Sequence, residues 1–109
     1  MENYKLGEIV LIAFPFSDAK ELKRRPALVL LDVGDEDIMV ARVTSQAVKT
    51  SFDLEIKDWQ GAGLLLPSIV RIHKVATLGK NMVERKLGKL REEDWRQVRE
   101  MIRKLWMSI

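Results

Sequence analysis

Lys20-Glu21-Leu22-Lys23-Arg24-Arg25-Pro26-Ala27-Leu28-Val29-Leu30-Leu31 sets a run of cations directly against a run of aliphatic residues. The aliphatic half, opened by Arg25-Pro26, reads as a strand, and Pro26 suits only its first residue or an edge because it supplies no ladder donor. The polar stretch from Ser17 to Arg25 shows no apolar period and reads as a loop of the kind that carries function on small barrels. Upstream, Gly7 to Phe14 is rich in β-branched and aromatic residues and ends at Pro15, the pattern of a strand buried on both faces. Downstream, Asp32-Val33-Gly34-Asp35-Glu36-Asp37 combines glycine with acidic turn formers and predicts a hairpin connection. It lacks the ligand spacing and closing glutamate of a calcium loop. Ile38 to Thr44 is the third strand. Ile38, Val40, Arg42 and Thr44 share one face of it, so Arg42 and Thr44 project together.

Phe52, Leu54 and Ile56 alternate with Asp53 and Glu55, as in a half-buried strand with one wet face. Lys57 to Pro67, with Gly61 and Gly63, is turn-rich. Its Gly-Ala-Gly meets Pro67 where a phosphate loop would open a helix, so a structural turn is the reading. A strand follows from Ser68 to Val75, and Asn81 to Leu87 alternates loosely until Gly88. From Glu92 the period changes: Trp95, Val98, Ile102 and Leu105 recur at helical steps, with Met101 and Trp106 widening the stripe. Glu92, Glu93 and Asp94 in the first turn and Arg103 and Lys104 in the last suit the helix dipole. Glu92 with Arg96 and Glu100 with Lys104 form i, i+4 pairs. Five or six short strands and one terminal helix predict a mainly β fold, a small, strongly bent antiparallel barrel closed on one side by the helix. Trp106, Met107 and Ile109 then become candidates for burial against a second subunit, so a homodimer is expected.

The chain has 109 residues, room for one domain. Hydrophobic residues make up 47% and charged residues 32%, which argues against disorder. No apolar run approaches the roughly 18 residues of a membrane span, and the start shows no secretory pattern, so a cytoplasmic location is expected. The absence of cysteine excludes disulfides, thiolate metal sites and thiol nucleophiles. Net charge is +3. It concentrates in the last thirty residues or so and in the Lys20–Arg25 run, a distribution that favours a polyanion.

His73 is the one histidine. It lies in a strand, and without a second imidazole the two-histidine ribonuclease scheme is closed to this chain. Asp53 and Glu55 read as solvated edge charge. No residue set resembles a metal site. What remains is Arg25 at the end of the basic run, with Thr44 and Ser45-Gln46 at the end of the third strand. A guanidinium fork fits two phosphate oxygens and a hydroxyl can bond one more, so together they would hold a phosphodiester.

The order Gly-Glu-Ile-Val-Leu-Ile, Phe-Pro-Phe-Ser-Asp, Lys-Arg-Arg-Pro-Ala-Leu-Val-Leu, Ala-Arg-Val-Thr-Ser-Gln, Gly-Leu-Leu-Leu-Pro-Ser-Ile-Val-Arg and Arg-Lys-Leu-Gly-Lys-Leu resembles the PemK/MazF family of toxins from about residue 6 to 105. The resemblance implies an SH3-like barrel with a C-terminal helix, a homodimer, and a ribosome-independent, sequence-specific endoribonuclease of a type II toxin–antitoxin pair. It carries the family's catalytic arginine onto Arg25 and its catalytic threonine onto Thr44. It also implies metal- and cofactor-free attack of a ribose 2′-hydroxyl on the adjacent phosphate, leaving a 2′,3′-cyclic phosphate and a 5′-hydroxyl. Arg25 would clamp the phosphate and is also a candidate acid, and Thr44 would bond the transition state. Because a guanidinium keeps its proton, the base is left unassigned.

Single-stranded RNA would be drawn by Lys20, Lys23 and Arg24 and contacted by Ser45 and Gln46. Phe16 and Trp59 are stacking candidates, for which core packing and a turn anchor are the simpler readings. The basic run is shorter and less glycine-rich than in many relatives, which bears on the cleavage sequence. A cognate antitoxin would lay an acidic, partly disordered segment over the same groove. Two alternatives share the fold: a CcdB-like toxin that binds gyrase, and a barrel that binds RNA or protein without catalysis.

Overall fold

The computed structural model describes residues 2–15 and 22–109; for Phe14, Pro15 and Leu22 it describes the backbone alone. Strands β1 (Glu8–Pro15), β2 (Leu22–Leu31), β3 (Asp37–Thr44), β4 (Asp53–Glu55), β5 (Ile69–Gly79) and β6 (Val83–Lys89) precede helix α1 (Glu92–Met107), with a single 3₁₀ turn at Lys80–Met82. They form one six-stranded antiparallel sheet in the order β4-β5-β3-β2-β1-β6. The expected mainly β architecture with a terminal helix is present, but the sheet is not closed: β4 and β6 are unpaired edges. The gap between them is bridged by contact. The β4–β5 connection lies so close to β6 that a Cβ on Gly63 would stand 2.0 Å from the Leu87 carbonyl oxygen, and one on Gly88 would stand 2.3 Å from that of Ala62. Gly63 also has φ +87, so the Gly-Ala-Gly segment serves the fold at this crossing.

β1 is buried on both faces, as its composition predicts. Ile9 packs with Leu28, Ala41, Val43, Val70, Ile72 and Val98 beneath α1, whereas Val10 and Ile12 pack with Ala27, Val29, Ile38 and Val40 on the other side. Trp95, Met101, Ile102 and Leu105 join the first cluster, which accounts for the helical stripe. Trp106 does not. Trp106, Met107 and Ile109 are 76%, 80% and 92% exposed. The sheet bends sharply within β5, because Ala41 pairs with Val75 and the next residue, Arg42, pairs with Arg71. Ile72, His73 and Lys74 therefore have no counterpart on β3.

Several local expectations change. Part of the basic run is strand rather than loop: Lys23, Arg24 and Arg25 pair with Phe14, Ala13 and Ile12, and all three cations are exposed. Neighbouring backbone supplies the ladder, so strand pairing needs no apolar period when side chains on both faces reach water. Pro26 lies inside β2 but pairs only with β1, since pairing to β3 ends at Ala27; locally it is an edge residue. On α1 the charged pairs are Arg99 with Glu92 and Arg103 with Glu100 instead of the predicted i, i+4 partners. Asp94 is buried and accepts hydrogen bonds from the Lys57 and Asp58 N–H groups, tying the helix start to the β4–β5 connection. Asp53 is not edge charge, because it is buried against Arg71. β5 and β6 run beyond their expected ends, to Gly79 and Lys89.

The Asp32 side chain is sequestered with Lys80 at 2.9 Å. The Tyr4 N–H and then the Lys80 ammonium hold its pKa at about 2, below the ordinary 3.8. A depressed carboxylate pKa contributes stability above the unfolded value and loses it as pH falls toward the folded one. The urea midpoint should thus fall as pH drops from about 4 to about 2, and Asp32→Asn should flatten that part of the profile.

Candidate functional site

Ala27 of β2 lies opposite Arg42 of β3, and Leu28 opposite Ala41. Continued two residues past the last pair, this register brings Arg25 across from Thr44, and cross-strand neighbours project to the same side. Both residues line one cleft of about 540 Å³, together with Arg24, Pro26, Ser45, Leu64, Leu65, Leu66, Arg85 and Lys86. The structure thus unites the two residues singled out from sequence, and Ser45 with them. Thr44 is half-buried and Arg25 exposed.

No carboxylate lines this cleft among the described residues. Arg24 donates to both oxygens of Glu84, at 2.9 and 2.7 Å. Lys86 pairs with Glu2 and Glu8, which raise its pKa. For Arg25 and Arg85 no carboxylate partner occurs among the described residues. The cleft is therefore a local positive field with two guanidinium groups open to an anion. Arg25 also borders an adjoining groove of about 380 Å³, lined by Lys23, Arg42 and Lys74 around Ala27, Val40 and Val75. Lys23 accordingly sits beside the cleft, sharing Arg25 with it.

The Gln46 N–H donates to Thr44 Oγ1 at 3.2 Å, a turn that occupies one acceptor site of the hydroxyl and leaves its proton to donate. The Gln46 carboxamide oxygen faces Arg71 rather than the cleft, accepting from Nη2 at 3.3 Å. Arg71 Nη1 donates to Asp53 Oδ2 at 2.7 Å, and the same oxygen accepts from the N–H groups of Lys49 and Thr50. Burial pushes the Asp53 pKa up, but these two N–H groups and the Arg71 guanidinium outweigh it, so the carboxylate lies below its ordinary range. Trp59 packs on the core as a turn anchor. His73 stacks obliquely near Phe52, 6.3 Å between ring centroids, away from the cleft. Lys20 and Phe16 lie outside the described residues. No group of three or more His, Asp or Glu among the described residues could hold a metal ion.

Sequence reasoning missed Arg85, Lys86 and the Leu64–Leu66 rim. The first two reach the cleft because β6 pairs with β1, setting Arg85 opposite Leu11 while Pro26 lies on Leu11's other side. Such an order of strands has no local signature. Leu65, 92% exposed, is the available signal: three consecutive leucines in a turn-rich segment exceed what the turn needs.

A bent antiparallel sheet, a helix across one face and a cationic cleft with a hydroxyl at its edge define a small β domain with a site open to an anion. The sequence matches, over residues 5–106, the family described as PemK-like, MazF-like toxin of type II toxin–antitoxin system. The chain belongs to this family. No curated protein matches the sequence. Among solved structures, a MazE–MazF crystal structure (Form-III) from Deinococcus radiodurans is similar with a TM-score of 0.77 and 21% identity, over 96% of this chain and 97% of that one. An endoribonuclease from Mycobacterial species gives 0.76 at 14% identity, over 95% and 91%. An endoribonuclease in complex with its cognate antitoxin from Mycobacterial species gives 0.76 at 13%, over 93% and 92%. At these identities the likeness shows the fold.

Proposed function

We propose that the chain is a sequence-specific, ribosome-independent endoribonuclease that cleaves single-stranded RNA without metal, leaving 2′,3′-cyclic phosphate and 5′-hydroxyl ends. The observation that carries this is the placement of Arg25 and Thr44 in one cationic cleft of a PemK/MazF-family chain. The 2′-oxygen attacks phosphorus and yields its proton to a base other than the guanidinium. The P–O5′ bond breaks, and the departing 5′-oxygen takes up a proton. Arg25 clamps two non-bridging oxygens and stabilises the charge that builds on them, and Thr44 donates a further hydrogen bond to the same phosphate. Lys20, Lys23, Arg24, Ser45 and Phe16 extend the contact to flanking nucleotides.

The active species is a homodimer, whose assembly covers the exposed Trp106, Met107 and Ile109. The inhibitor is an antitoxin that lays an acidic segment across the cleft, consistent with the MazE–MazF and endoribonuclease–antitoxin complexes among the similar structures. α1 is not long and apolar enough to cross a membrane, and the proposed site of action is the cytoplasm. Family membership favours this reading over gyrase binding.

The test is incubation of purified protein with single-stranded RNA in EDTA without ribosomes. Discrete cleavage is expected. Intact RNA combined with gyrase inhibition would replace the proposal by the CcdB-like one, and intact RNA that is bound would replace it by the non-catalytic one.

A further inference from the structure

We propose that Arg71 is a positioning residue for the Thr44 hydroxyl, acting through Gln46 from its buried pairing with Asp53. The inference deepens, and rests on, the reading of Arg25 and Thr44 as the cleavage site. The Arg71 and Asp53 side chains are 7% and 0% exposed, so both charges are withdrawn from water. Such a pair is weak evidence for stability, since apolar residues of similar volume often serve a core equally well. Asp53 Oδ1 has no hydrogen-bond partner among the described residues, and the side-chain hydrogen bonds the pair makes outside itself run to one element, the segment leaving β3.

Asp53 Oδ2 accepts the N–H groups of Lys49 and Thr50, fixing the far side of that segment. Arg71 spans the interior from Asp53 at Nη1 to the Gln46 carboxamide oxygen at Nη2, fixing the near side. Gln46, held from its side chain, presents its backbone N–H to Thr44 Oγ1. With that acceptor site filled, the hydroxyl rotor has its proton left to aim, and Thr44 lines the cleft. Only a planar guanidinium can reach two acceptors in this way; an ammonium would keep the charge beside Asp53 and lose the fork. Misplacing a catalytic hydrogen-bond donor lowers turnover more than binding.

Steady-state cleavage by Arg71→Lys and Gln46→Ala, each alone and combined with Thr44→Ala, tests the role, with thermal unfolding run alongside. Gln46 is exposed, so Gln46→Ala keeps the fold even where Arg71→Lys does not. Each single variant is expected to lower kcat about tenfold with KM within about twofold, and to add nothing once Thr44 is alanine. Losses that persist in the Thr44→Ala background, or that fall on KM alone, overturn the proposal in favour of a structural or RNA-contacting role. Amide exchange of Gln46 reads the same corner without activity. It should quicken in Arg71→Lys, and unchanged exchange also overturns the role. Full activity of Thr44→Ala, by contrast, would refute the cleavage site itself.

Discussion

Arg25→Ala is expected to reduce RNA cleavage by about two to three orders of magnitude in kcat while the protein remains folded, the usual effect of removing one preorganised donor from a developing oxyanion. The side chain is exposed, and no carboxylate partner for it occurs among the described residues, so its loss leaves no buried charge behind. The strand that carries it is held from elsewhere: Arg25 pairs through its backbone with Ile12, and the core begins two residues later at Ala27. Arg25→Lys should recover only part of the activity, because an ammonium cannot meet two oxygens of one phosphate with a rigid fork. Circular dichroism and cleavage rates on the same preparation check both halves. An active alanine variant would remove Arg25 from the chemistry.

Gly63→Ala should be among the most destabilising single substitutions in the chain. The new methyl would lie 2.0 Å from a backbone oxygen of β6 at a residue with φ +87, so strain and collision coincide. Backbone strain alone amounts to about 1–3 kcal/mol, and the collision requires the β4–β5 connection to withdraw from β6. A total of about 3 kcal/mol, or more than about 10 °C in melting temperature, is expected. Gly34→Ala is the control: φ is +93, but nothing lies within 4 Å of its Cβ, so only the strain remains. Equal melting temperatures for the two variants would show that the close crossing contributes nothing. Because Leu64, Leu65 and Leu66 follow Gly63 directly, its substitution should also disturb one wall of the cleft.

The strands and helix were legible where burial imposes a period. β1, β3 and α1 announce themselves because one or both faces must be apolar, and Trp95, Val98, Ile102 and Leu105 could face only a core. The start of β2 was not legible, since Lys23 and Arg24 are strand residues by pairing and their side chains carry no trace of it. Asp53 was misread for a related reason. Alternation placed it on the wet face, but its counter-charge, Arg71, comes from a strand that pairs with β4 only in three dimensions. The pairing of Arg25 with Thr44 came from the character of a guanidinium beside a hydroxyl and from resemblance; the β2–β3 register supplies its geometry. Arg85 depended on β6 joining β1, an adjacency of elements distant along the chain, and alternation within β6 does not encode it.

The end groups left on cleaved RNA test the account most directly. Single-stranded RNA digested in EDTA, with its fragments resolved by mass, should carry 2′,3′-cyclic phosphate on one side of each cut and 5′-hydroxyl on the other. Fragments bearing 5′-phosphate, or cleavage of an all-2′-deoxy strand of the same sequence, would show that the 2′-oxygen is not the nucleophile and that Arg25 and Thr44 do not perform this reaction.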